Sequence, residues 1–221
     1  MSETMESWHS PRYAAAWAGE DVIANMLELP RQLSTALVAD SGLEVAHVID
    51  VGSGPGVYLD RFLRAFPDAR GTWTDSSEAM LELGQKELAA FGDRVDYRIV
   101  DAEKLEEAGL EPAEVIVTSR ALHHFAPDSL AGTYRAMHDL LAPGGFLFNL
   151  DHVGAPGDWE QVYRRVRKQV LGERKNRLAP HRHDYPLVPT DVQLGWLRDA
   201  GFADPDVPWR TLYTALIMAR R

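Results

Sequence analysis

The 221-residue chain contains no cysteine, which excludes disulfides, thiolate metal sites and cysteine nucleophiles together. It lacks any apolar run of membrane-spanning length, so no transmembrane helix and no membrane partner are expected. Residues 1–6 carry acids and neither a basic stretch nor an apolar core, so no signal peptide is expected, and a cytoplasmic location is the default. Positive charge is scarce: 23 Lys and Arg face 33 Asp and Glu, a formal net charge of −10. That balance argues against broad nucleic-acid binding. The exception is 158–183, where eight Lys and Arg meet three acids. It reads either as a solvated helix face or as a functional patch. Hydrophobic residues make up 45%, and composition and length suit one soluble α/β domain.

One further absence matters more. Asp50-Val51-Gly52-Ser53-Gly54-Pro55-Gly56 follows an apolar, β-branched run at 45–49 and precedes Leu59, Phe62, Leu63 and Phe66 at helical spacing. A strand feeding a helix through a glycine turn lets a ligand lie against the main chain and presents free N–H groups at the helix start. The loop therefore reads as a nucleotide or nucleoside cradle. Dinucleotide turns need Gly-x-Gly-x-x-Gly, with a third glycine where Val57 stands. An acid two residues ahead of Gly-x-Gly-x-Gly replaces that pattern.

Residues 1–44 read as a helical cap interrupted at Pro30. From residue 45 strands and helices alternate, which predicts a parallel sheet covered on both faces. Strands are expected at 71–74, 95–100, 115–119 and 146–150, with two more at 207–212 and 214–218. Ser76 or Ser77 is expected to cap the helix carrying Met80, and Asp128 the helix that reaches Leu141. Pro143-Gly144-Gly145 should end that helix in a turn. Pro156-Gly157 opens an insertion, 155–189, beginning with an amphipathic helix that turns Trp159, Val162, Val166 and Val170 inward. Thr190-x-x-Gln193 has capping-box form before a last helix. The whole reads as a single domain over 1–221, with a core at 45–154 and a closing helix and strands at 190–221.

Polar residues end the successive strands, where ligands bind in open α/β sheets. Asp75 is positioned to take both ribose hydroxyls, and Asp101, with the Ala102 N–H, an adenine amino group. Ser119 and Arg120 border the ligand's amino-acid end. His123 and His124 follow strand four, and Asp151-His152 follows strand five. Histidine suits proton transfer near neutral pH, although local packing or helix capping accounts for the same residues.

In this order, Asp50 to Gly56, Trp73-Thr74-Asp75-Ser76, Val100-Asp101-Ala102, Ser119 to Phe125 and Leu141-Ala142-Pro143-Gly144-Gly145 resemble the motifs of class I S-adenosylmethionine-dependent methyltransferases. The resemblance covers 45–151. It implies a Rossmann-like seven-stranded sheet in order 3-2-1-4-5-7-6, strand seven antiparallel, with helices on both faces. It implies S-adenosyl-L-methionine as cofactor, contacted by Asp50, Gly52, Ser53, Gly54, Gly56, Asp75, Ser76, Met80, Asp101, Ala102, Ser119 and Arg120. The expected catalytic group is His123, His152 and Asp151.

The N-terminal segment and the basic insertion together suggest a lid over the acceptor, with Tyr13, Trp17, His124, His181 and His183 facing it. An aromatic cavity with a few basic groups suits a small organic anion or an aromatic metabolite, methylated on O, N or C by a monomer or homodimer. His181-x-His183 with Asp184 and His152 offers metal ligands. Metal-dependent catechol methyltransferases, however, carry an acid at the end of strand four, where this chain has Ser119-Arg120, so a metal-independent enzyme is expected. RNA methylation through Arg164 to Arg182, and a non-catalytic S-adenosylmethionine-binding protein, are the alternatives.

Overall fold

The computed structural model describes residues 9–18, 21–171 and 185–221. One sheet holds β1 (His47–Val51), β2 (Arg70–Asp75), β3 (Val95–Ile99), β4 (Ala113–Ser119), β5 (Leu141–His152), β6 (Ala203–Thr211) and β7 (Thr214–Arg220). Their order is β3-β2-β1-β4-β5-β7-β6. The first five are parallel, and β7 runs antiparallel to both neighbours. This is the sheet the motif order implied.

Every residue of β1 is buried, as a central parallel strand covered on both faces must be. Val48 faces a cluster with Leu59, Phe62, Trp73 and Phe148. Ile49 and Val51 face the opposite cluster with Ile116, Tyr134, Leu147 and Leu197. The helices supplying these layers are α1 (Pro11–Ala18), α2 (Asp21–Ser41), α3 (Val57–Ala65), α4 (Glu78–Glu87), α5 (Pro127–Leu140), α6 (Trp159–Leu171) and α7 (Thr190–Asp199). Helix α1 packs on α4, with Ala14 fully buried.

Several local expectations are corrected. Helix α2 continues through Pro30; Leu27 and Val38, both buried, hold it on the core to either side of the proline. Asp128 does not cap α5. Ala126 is the N-cap and Pro127 the first helical residue, because proline's fixed φ suits that position, and Asp128 lies in the first turn. Thr190 is not a capping residue either, since Pro189 precedes the helix without a side-chain cap. Strand β5 begins at Leu141, which pairs with Ala113 before the register resumes at Val115 and Phe146. Pro143-Gly144-Gly145 is therefore a bulge inside the strand. In α6, Trp159 is 52% and Val170 73% exposed, so the expected inward face is covered only around Val162 and Val166.

Candidate active site

The glycine loop sits where β1 meets α3. Gly52 has φ +64, and a Cβ there would stand 2.6 Å from the Ala121 Cβ. Gly56 has φ +89, and its Cβ would meet Leu88 Cδ1 at 2.8 Å. Both positions combine a left-handed backbone with no room for a side chain. The loop's N–H groups are not free, contrary to the sequence expectation. Ser53 N donates to Thr74 O at 2.8 Å and Gly56 N to Ser53 O at 3.0 Å. Gly54 N donates to Asp75 Oδ2 at 2.9 Å. These inward bonds shape the loop and leave little of the donor nest that a pyrophosphate requires. Two nearby carboxylates, Asp50 and Asp75, would also repel one.

Asp50 is 1% exposed. Its Oδ2 accepts from Ser53 Oγ at 2.6 Å and Leu59 N at 3.2 Å, while Oδ1 has no partner among the described residues. Burial raises its pKa to about 7, against the opposing pull of these bonds and the Arg31 charge. Arg31, on α2, was not singled out from the sequence, because an arginine on an amphipathic helix ordinarily reaches solvent. Here it is 8% exposed, and burial lowers its pKa despite the nearby Tyr58, Asp50 and Glu28.

Both Asp75 oxygens are engaged, by Gly54 N and by Ser77 N at 2.9 Å each. Each keeps a lone pair for a ligand hydroxyl. Ser77 caps α4 by accepting from Met80 N at 3.3 Å, and Ser76 is exposed beside it. His9 lies close enough for its charge to act on Asp75. Asp101 is exposed and accepts from Glu103 N at 3.0 Å, so it caps a short 3-10 helix that starts at Ala102. Arg120 holds φ +57 and donates its N–H to Leu150 O, and the buried Ser119 Oγ has no partner among the described residues.

The three predicted catalytic residues come together. Asp151 Oδ1 accepts from His123 Nδ1 at 2.5 Å and from His152 N at 2.8 Å. Asp151 Oδ2 accepts from His123 N at 2.9 Å. The side chains of His123 and Asp151 are 1% and 3% exposed. Burial raises the Asp151 pKa to about 6, opposed by its two backbone bonds and the charges of His124 and Arg120. The His152 ring lies 4.9 Å from that of His123 and 5.1 Å from that of Tyr213, and its Nδ1 meets Thr214 Oγ1 at 3.1 Å. His124 stacks 4.0 Å from His123. A narrow crevice opens here, bounded by His123, Asp151, His152, Asn149, Pro186 and Val188. A buried chain supports its floor: Asn149 Nδ2 donates to Tyr134 Oη at 2.9 Å, and Tyr134 Oη donates to Gln193 Oε1 at 2.6 Å.

Tyr13 is half-buried on α1, which also carries Trp17. His181 and His183, and with them the metal-ligand set considered from the sequence, lie outside the described residues. No group of three or more metal-ligating side chains occurs among the described residues.

A His–Asp pair and a glycine loop thus both lie at the carboxyl ends of the parallel strands of a 3-2-1-4-5-7-6 sheet. A methyltransferase-domain family model matches residues 48–145. Ubiquinone biosynthesis O-methyltransferase of Pseudomonas savastanoi pv. phaseolicola is 30% identical over 167 residues, 75% of this chain and 68% of the relative. Trans-aconitate 2-methyltransferase of Klebsiella pneumoniae is 28% identical over 186 residues, 84% and 67% of the two. The solved O-methyltransferase family protein from Burkholderia thailandensis aligns with TM-score 0.73 at 20% identity, over 94% of this chain and 59% of that one. The chain spans about two thirds of the length of these two curated relatives and 3% of a polyketide synthase-nonribosomal peptide synthetase that it also matches. It belongs to the class I S-adenosylmethionine-dependent methyltransferases, and S-adenosylmethionine is its cofactor.

Proposed function

We propose that the chain methylates a small organic molecule that must lose a proton as it reacts, a hydroxyl or a carbon acid, with His123 as the general base. The observation that carries this reading is the buried His123–Asp151 contact in the narrow crevice. An ionised carboxylate can only accept, so Asp151 fixes the proton on Nδ1 and makes Nε2 the basic nitrogen of the ring. The carboxylate also stabilises the imidazolium formed when that proton arrives. His152, packed on His123, limits the ring's freedom. When bound, S-adenosylmethionine supplies an already activated methyl group at a sulfonium. The chain's remaining task is to align an acceptor, which supplies much of the barrier reduction.

The relatives named for ubiquinone biosynthesis and trans-aconitate act on small molecules by their names, which supports an aromatic or anionic acceptor. RNA methylation has less support, because Arg164 of the basic helix is already bonded to Glu160 and stacked on Tyr213. The lid role of 155–189 belongs to the same proposal, with Pro186 and Val188 as its contribution to the crevice.

The test uses methyl-labelled S-adenosylmethionine with panels of phenols, hydroxy acids and β-keto acids, and structured RNA in parallel. Label should enter a small acceptor and be lost in His123→Ala. Transfer to RNA alone, or transfer undiminished in His123→Ala, would overturn the reading.

A further inference from the structure

We propose that Trp73 is a positioning residue for the cofactor loop, its indole N–H fixing the Gly54 carbonyl, and that Gly84 on α4 is the notch that admits it. The inference rests on S-adenosylmethionine being the cofactor and assigns part of its binding to a buried pair on β2 and α4. Trp73 stands on β2, two residues before Asp75, and is fully buried. An indole N–H can only donate, and a buried one needs an acceptor. It finds Gly54 O at 2.9 Å. That carbonyl belongs to the Gly54–Pro55 peptide, which has no N–H because proline lacks one. Only a bond to its carbonyl can therefore fix the orientation of this peptide.

The end of β2 holds the loop through three successive residues. Trp73 takes Gly54 O. Thr74 O accepts from Ser53 N at 2.8 Å, and Thr74 Oγ1 donates to Asp50 O at 3.0 Å. Asp75 Oδ2 accepts from Gly54 N at 2.9 Å. Both polar groups of Gly54 thus end on side chains two residues apart, which share one face of the strand. Asp75 is also the acid proposed for the ribose, so a shift at Gly54 disturbs the cofactor's contacts through it. Gly84 accounts for the room the indole needs. Glycine inside a helix is disfavoured against alanine, yet Gly84 lies buried within α4. A Cβ there would stand 2.6 Å from Trp73 Nε1 and 3.1 Å from its Cε2. The nearest atom is the one that bonds Gly54, so a methyl at this position would push that nitrogen off the carbonyl. Gly84, Trp73 and Gly54 therefore act as one contact, although they come from a helix, a strand and a loop.

A double-mutant cycle on the full chain tests the assignment without relying on activity, read by calorimetry with S-adenosylhomocysteine, amide exchange and thermal melts. Trp73→Phe keeps an aromatic ring and removes the donor, so affinity should fall about tenfold, the worth of one buried hydrogen bond. Without ligand, exchange at Ser53, Gly54 and Gly56, whose N–H groups are bonded in the folded loop, should quicken. Gly84→Ala should weaken binding by a similar factor, although alanine favours the helix. In the Trp73→Phe background no Nε1 stands in the way. There Gly84→Ala should raise the melting temperature and leave affinity within about twofold of Trp73→Phe alone. Wild-type affinity and loop exchange in Trp73→Phe, with only the melt lowered, would overturn the proposal. So would a double variant whose loss is the product of the two single losses. Should Trp73→Phe not fold, unchanged affinity in Gly84→Ala would overturn it. Failure of wild type itself to bind S-adenosylhomocysteine would remove the cofactor reading and the proposal with it, an outcome distinct from any within the cycle.

Discussion

Replacing Asp151 with Asn separates a positioning role from a purely structural one. The carboxylate accepts three bonds, from His123 Nδ1, His123 N and His152 N. The carboxamide oxygen can keep the donors on one side. Its NH2 must then face an N–H donor on the other, where nothing accepts. One buried donor left unsatisfied costs about 1–3 kcal/mol, so the variant should be destabilised by about that much and still fold. The catalytic loss should be larger in proportion. Without a carboxylate, Nδ1–H is no longer enforced and the imidazolium is no longer stabilised. We expect kcat to fall about 10²–10⁴-fold, the usual worth of a general base, with affinity for S-adenosylhomocysteine unchanged. In wild type, activity should rise with pH as Asp151 ionises near pH 6, and the mutant should lose that limb. Steady-state kinetics across pH, set beside urea denaturation, reads both effects. A variant with wild-type kcat and an intact acid limb, differing only in stability, would refute the reasoning.

Three further outcomes are expected. Folding raises the Asp50 pKa from 3.8 to about 7, so the folded chain holds that proton more tightly than the unfolded one. The stability this contributes is whole below about pH 4 and is lost as pH rises through about 7, an effect of about 4 kcal/mol. Asp50→Asn should flatten that slope in pH-dependent denaturation of the cofactor-free protein; an unchanged slope would place the titration elsewhere. Gly52→Ala forces a Cβ to 2.6 Å from Ala121 at φ +64, so it should lower stability by about 1–3 kcal/mol and abolish cofactor binding by calorimetry. Gln193→Leu strands the buried Tyr134 hydroxyl's proton and should lower the unfolding free energy by about 1–3 kcal/mol; no loss would mean the polar chain is unimportant.

The sheet was legible because its determinants are local and repeated. Apolar, β-branched runs at 45–49 and 115–119 have the length and composition of buried strands, although the first strand runs two residues later, over His47–Val51, and the glycine spacing fixed the turn between β1 and α3. The helix starts near Asp128 and Thr190 were misread because Pro127 and Pro189 set those starts through their rigid φ, ahead of any side-chain cap. The loop's N–H groups looked available because their acceptors, Thr74 O and Asp75 Oδ2, lie on the adjacent strand, about twenty residues away. His123 and Asp151 were each visible as candidates from their strand ends. Their pairing across 28 residues is a consequence of β4 lying beside β5. Arg31 carried no sequence signal, since nothing in the helix pattern distinguishes a buried arginine from a solvated one. A search for cations three or four residues from the apolar stripe of α2 would have raised it as a candidate.

A crystal structure of the S-adenosylhomocysteine complex tests the central claim most directly. The account predicts the ribose on Asp75 and the sulfur facing the His123–Asp151 crevice. A sulfur turned away from His123, with the crevice walled off from the cofactor, would contradict it.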